Sequence, residues 1–147
     1  MQDDPKISAL RLLARREHSR YELKQKLKLR GFPNNKIEPL LDELEVDNLL
    51  NVDRYIACFI RARCARGMGP LKICAQLQNH DIDPQRIQAN EEWQNTAWEE
   101  LAMRVKWKRF GEQTVVDPHQ RLQQERFLQQ RGFTYDQIRF AILDPSK

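Results

Sequence analysis

The helical punctuation of this chain repeats about every fifty residues, and that period limits the folds open to it. Ser19, Leu23, Leu27, Phe32 and Ile37, moved 50 places along, fall on Gly69, Ile73, Leu77, Ile82 and Ile87. A helix-start residue and an apolar skeleton are kept. Moved 101 places, Leu27, Gly31, Phe32 and Ile37 fall on Leu128, Gly132, Phe133 and Ile138, and the phrase KLRGFPNNKI returns as QQRGFTYDQI. Periods of this length belong to repeat architectures, in which one unit is too small to bury its apolar face alone and leans on its neighbour.

Apolar residues recur at three and four rather than at two, so the units are helical. The spacing predicts Ile7 to Arg16, Ser19 to Arg30 and Asn34 to Val46 in the first unit, then Asp53 to Arg66, Pro70 to Asn79 and Pro84 to Asn90 in the second. The third is read as Glu92 to Arg109, Pro118 to Arg131 and Tyr135 to Leu143. Local chemistry marks the ends. Ser19 with Glu22 and Thr134 with Gln137 have capping-box spacing, and Asp83-Pro84 and Asp117-Pro118 pair an N-cap acceptor with a proline at the first helical position. Gly31, Gly67 and Gly132 are placed to close helices in the left-handed region. Ile56, Phe59, Ile60 and Cys64 form one apolar stripe, and Trp98, Leu101, Ala102 and Val105 form another. The fold class is therefore all-α: three tandem three-helix repeats, at 1–50, 51–90 and 91–147, in an elongated array whose curvature the sequence leaves open.

Several function classes drop out. No apolar run approaches the roughly 18 residues of a membrane span, and the acidic opening MQDDPKIS lacks the apolar core of a secretory signal, so a cytoplasmic protein is expected. Cys58, Cys64 and Cys74 form no metal-ligand spacing and read as buried free thiols. His18, His80 and His119 each fall at a helix end, where a cap or surface role is the usual one. The carboxylates do not converge on a nucleophile, so neither an enzyme nor a cofactor or metal site is expected. Gly67-Met68-Gly69-Pro70 follows a helix and lacks the Lys-Thr ending of a phosphate loop, so it reads as one helix ending and the next beginning.

Charge is where a partner could be read. Nine Lys/Arg lie between Arg11 and Lys36 against Glu17 and Glu22, whereas six acids and no base lie from Glu38 to Asp53. Such a dipole can steer a protein onto a charged partner. Lys24, Lys28, Arg30, Arg61, Arg63 and Arg66 flank helix boundaries and are candidate contacts. The run Arg104 to Phe110 mixes bases with Trp107 and Phe110, a pattern shared by single-strand binders and by ordinary core packing.

Two segments, ALRLLARREHSRYELKQKLKLRGF at 9–32 and DRYIACFIRARCARGMGPLKICAQL at 53–77, resemble the RecX family of regulators of the bacterial RecA recombinase. Arg54, Tyr55, Phe59, Ile60, Arg61, Arg63, Gly67, Gly69, Pro70, Lys72 and Ile73 match the second of the family's patterns. The chain departs from them at Ile56, in the 48–52 stretch, and at Asp81, where family members usually have glycine. The resemblance implies tandem three-helix repeats and a monomeric, non-enzymatic modulator that binds RecA and its filament on single-stranded DNA, reducing ATP hydrolysis and strand exchange. Arg54, Arg61, Arg63, Arg66, Lys72 and the Lys24–Arg30 face are then the expected contacts. Whether they meet a RecA surface or DNA phosphates stays open, and direct DNA binding is the alternative.

Overall fold

The computed structural model describes residues 4–143. Among them are ten helices and no strand. In chain order they are α1 (Pro5–Arg15), α2 (Arg20–Leu29), α3 (Asn34–Val46), α4 (Val52–Ala65), α5 (Pro70–Gln78), α6 (Pro84–Ala89), α7 (Glu91–Asn95), α8 (Trp98–Phe110), α9 (Pro118–Gln130) and α10 (Tyr135–Ile142). No helix among the described residues is long and apolar enough to cross a membrane.

Three apolar cores follow from the repeated skeleton. Leu23, Leu27, Ile37, Leu41 and Leu44 centre the first, Ile56, Ile60, Ile73, Leu77 and Ile87 the second, and Ala102, Leu128 and Phe133 the third. Cys64 and Trp98 pack against both the second core and the third, so these two cores are continuous at that point. The caps are local and fall where the residues require. Asp83 and Asp117 accept from Gln85 N–H and His119 N–H, and Thr134 with Gln137 closes a full capping box.

Two local expectations are corrected. Ser19 accepts from Glu22 N–H at 3.0 Å, but the Glu22 carboxylate does not reach back to the cap; it binds the Arg16 guanidinium at 2.5 Å. The charged partner wins over a neutral amide. The single helix expected from Glu92 to Arg109 is broken at Thr96, whose hydroxyl takes the Glu92 carbonyl at 2.6 Å while its backbone turns extended. That turn lets Trp98 fold onto Trp93, ring centroids 5.0 Å apart, and α7 packs on α4.

Besides the shared side chains of Cys64 and Trp98, backbone joins the second unit to the third. Pro70 removes one of the amides left unpaired at the start of α5, and the neighbouring ones find carbonyls in the turn that ends α9. Gly69 N–H donates to Arg131 O at 2.7 Å and Leu71 N–H to Gly132 O at 2.9 Å. A Cβ on Gly69 would lie 2.6 Å from the carbonyl of Gly132, and one on Gly132, whose φ is +97°, would lie 2.5 Å from Lys72 Cβ. Both glycines are there so that two turns can touch. Fifty residues earlier the same geometry is met with side chains: Ser19, at the start of α2, places Oγ 3.0 Å from His80 Nδ1 in the turn after α5.

Asp81 takes the place in that turn which Gly31 and Gly132 take in theirs, and it does so at φ +62°. A left-handed aspartate is strained where glycine is not. Asp81→Gly is expected to raise the unfolding free energy by about 1 kcal/mol, read as a higher urea midpoint at unchanged slope.

Candidate functional site

The helix α4 turns Ile56 and Ile60 into the core, which sends Arg61 and Ala65 to its other side, with Arg66 just beyond its end. On α8, Arg104 and Lys108 stand one turn apart, followed by Arg109; α9 contributes Phe127 and, past its C-terminus, Arg131. These residues enclose a cleft of about 830 Å³ between the second and third units. Six cations line it against one carboxylate, Glu92.

Only Arg61 uses that carboxylate, at 2.6 Å. Among the described residues, Arg66, Arg104, Lys108, Arg109 and Arg131 have no acidic partner. Arg131 donates to the Arg66 carbonyl at 3.0 Å, and the guanidinium carbons of Arg109 and Arg131 lie 5.4 and 5.2 Å from the Phe127 centroid, with Phe110 edge-on to the same ring at 5.3 Å. The floor is apolar, made by Ile60, Cys64, Ala65, Leu101, Val105 and Phe127. Burial pushes the Cys64 thiol up to about 11, the field of Glu92 adding to it, so the sulfur stays neutral. An apolar floor under a rim of cations, of which only Arg61 has an acidic partner among the described residues, favours an anion over a cation at this place. Among the described residues no group of His, Cys, Asp and Glu is placed to hold a metal ion.

Of the cations singled out in the sequence, Arg61 and Arg66 come together at this cleft. Arg54 is a tie between units: its Nε lies 3.2 Å from both Glu17 oxygens and its NH2 group donates to Asn48 O at 2.8 Å. Arg63 donates to Gln76 Oε1 at 3.0 Å and lies 4.3 Å over the Phe59 ring. Lys24 meets Glu38 at 2.5 Å, and Arg20 meets Glu38, Asp42 and Glu45, so these two cations of the basic stretch are held by the acidic one across α2 and α3. Lys28 and Arg30 stand exposed at the end of α2, and Lys72 is exposed near the start of α5. Arg104, Lys108, Arg109 and Arg131 join the cleft without having been singled out one by one. Their signals are the one-turn spacing of Arg104 and Lys108 and the repeated RGF phrase that holds Arg131.

Three expectations change with these positions. Lys106, in the basic run, is 1% exposed; its ammonium donates to Gly111 O and Gln113 O at 2.9 and 2.7 Å, holding the chain that leaves α8. The three cysteines are not the buried thiols expected: Cys64 and Cys74 are half-buried and Cys58 is exposed, with the Arg61 guanidinium 3.4 Å from its sulfur. His18 is not a surface residue. It is 2% exposed, donates from Nδ1 to Arg16 O at 3.1 Å and accepts at Nε2 from the Lys26 ammonium at 2.9 Å.

Those bonds require a neutral imidazole, and burial holds the His18 pKa below its ordinary 6.5: the bond to the Arg16 carbonyl and the Glu22 carboxylate favour a proton, the Arg16 and Lys26 charges oppose one, and burial outweighs them. The unfolded chain therefore takes up the proton first as pH falls. Stability is complete above the unfolded value and declines as pH drops below it. Urea midpoints measured between about pH 7.5 and 5.5 should fall on acidification, and His18→Gln should flatten that slope.

Comparison with known proteins places these features in one group. Residues 6–44 match the first three-helix domain of RecX, and residues 98–142 match its third. A regulatory protein RecX of Halorhodospira halophila is 41% identical over 134 residues, which is 91% of this chain and 83% of that one. The regulatory protein RecX of Pseudomonas entomophila is 40% identical over 131 residues, 89% of this chain and 84% of that one. The crystal structure of RecX from Lactobacillus salivarius superimposes with a TM-score of 0.74 over 94% of this chain and 92% of that one, at 19% identity, and so shares the fold.

Proposed function

The chain belongs to the RecX family of regulatory proteins, and from that premise we propose that it binds the RecA filament on single-stranded DNA and lowers its ATP hydrolysis and strand exchange. The observation that carries the reading is the cleft between the second and third units, where five cations have no acidic partner among the described residues. Regulation of this kind needs no catalytic group. A monomeric rod of linked units can touch more than one RecA protomer in the cytoplasm, so that weak contacts add through effective concentration, and preference for one filament state shifts the filament toward it. Arg61 and Arg66 act with the other cleft cations, while Lys28, Arg30 and Lys72 supply exposed charge along the rod. Arg54, Arg63 and Lys24 contribute by holding the units in shape.

Unpaired cations also support a second reading, in which the cleft neutralises phosphates of free DNA and the effect on RecA is indirect. Salt separates the two: binding to bare single strands should weaken steeply, with a logarithmic slope of about −0.7 per phosphate contacted. The first reading is tested by adding the protein to RecA preassembled on single-stranded DNA and following ATP hydrolysis with filament length. A fall in hydrolysis is expected at stoichiometric amounts. Unchanged hydrolysis and length would remove the proposed function.

A further inference from the structure

The cleft has two parts that a phosphate chain and a peptide would use differently. Its rim is basic and mostly arginine: Arg61, Arg66, Arg104, Arg109 and Arg131, with Lys108 the one lysine. Guanidinium forks match carboxylate and phosphate alike, so the rim by itself selects an anion and does not choose between them. The floor does choose. Val105 and Phe127, half-buried, and the exposed Ala65 present apolar surface in the cleft, over the buried Ile60 and Leu101, which a phosphate chain by itself would leave uncovered.

Single-strand binders meet bases with open aromatic faces. The ring at this site, Phe127, is already engaged: Arg109 and Arg131 lie over it and Phe110 meets it edge-on. It can serve as a wall for an aliphatic or aromatic side chain, but it is not a free stacking platform. At about 830 Å³ the cleft has room for one large side chain and a short stretch of extended or helical backbone.

We infer that the cleft between α4, α8 and α9 takes an acidic peptide segment, with one apolar side chain on the floor and flanking carboxylates on Arg66, Arg104, Lys108 and Arg131. The surplus of charge draws the segment in, and the buried side chain fixes its register. This rests on the cleft being the contact surface of the proposed function. It assigns that surface to protein rather than to nucleic acid.

The test uses the full chain and isolated ligands, so that it can fail without disturbing the RecA result. The probe is a fluorescein-labelled peptide of about ten residues, rich in Asp and Glu with a single central Phe, read by anisotropy at physiological ionic strength. Saturable binding is expected, weakened about tenfold or more when the Phe is replaced by Ala. Two variants divide the cleft. Arg104→Gln with Lys108→Gln should weaken the peptide about tenfold by thinning the rim, and Ala65→Trp should do the same by filling the exposed part of the floor while leaving every cation in place. Far-UV circular dichroism identifies a variant that has lost its fold, and either variant alone suffices to decide. No binding, or binding indifferent to the peptide's Phe and to Ala65→Trp, overturns the inference. So does displacement of the peptide by oligothymidylate at lower concentration than by unlabelled peptide, since that would assign the cleft to a phosphate chain.

Discussion

Replacing Gly69 by alanine is expected to cost about 3 kcal/mol of stability, although its own φ of −88° suits any residue. The added methyl would stand 2.6 Å from three backbone atoms of Gly132 and Phe133, and backbone cannot swing aside as a side chain can. The first turn of α5 must then retreat. Gly69 N–H loses Arg131 O and Leu71 N–H loses Gly132 O, two backbone bonds between the units. Gly132→Ala should cost as much or more, because it adds a positive φ to a 2.5 Å approach to Lys72 Cβ. Gly111→Ala supplies the control: Gly111 also has a positive φ, but nothing lies within 4 Å of its Cβ position. Its cost should be about 1–2 kcal/mol, the backbone term alone. Hydrogen exchange at Leu71 should quicken in the first two variants and not in the third. Equal costs at all three sites would mean that the turn-to-turn contact contributes nothing.

The second large effect is on activity. Arg66→Glu, Arg104→Glu and Lys108→Glu together should raise the amount of protein needed for half-inhibition of RecA ATP hydrolysis at least tenfold, since each lost charge-assisted contact is worth about 1.5–3 kcal/mol and tenfold needs about 1.4. None of the three side chains has an ion-pair partner among the described residues, so helicity should stay as it is. Arg63→Glu should behave in the opposite way. It breaks the bond to Gln76 and the stacking on Phe59, and so should lower stability before it touches regulation. Retained inhibition in the triple variant, with binding unchanged, would move the contact surface away from the cleft.

What the sequence made legible is what neighbouring residues decide. Period, helix starts at Asp83 and Asp117, and the glycine ends at Gly31 and Gly132 all depend on contacts within a few positions, and all are present. Gly69 was legible only as the start of a helix. Its closer role depends on Arg131 and Gly132, more than sixty residues away, and backbone-to-backbone contact leaves no mark in side-chain pattern. The cations show the same limit. Arg54 and Arg63 look like Arg61 and Arg66 along the chain, yet Glu17 and Gln76 occupy the first pair while the second pair opens on the cleft. The Arg104–Phe110 run held both readings at once: Phe110 packs on Phe127, Lys106 turns inward to two carbonyls, and Arg104 and Lys108 face α4. Which face of α8 meets α4 is settled by the break at Thr96 and the Trp93–Trp98 contact.

The most direct measurement of the central claim compares binding of the intact protein to RecA preassembled on single-stranded DNA with binding to the same DNA bare, in one buffer of physiological ionic strength. The filament should be bound at least tenfold more tightly, because only the filament offers protein surface to the cleft and several protomers to the rod. Equal affinity for the two would contradict the claim and leave a DNA-binding protein in its place.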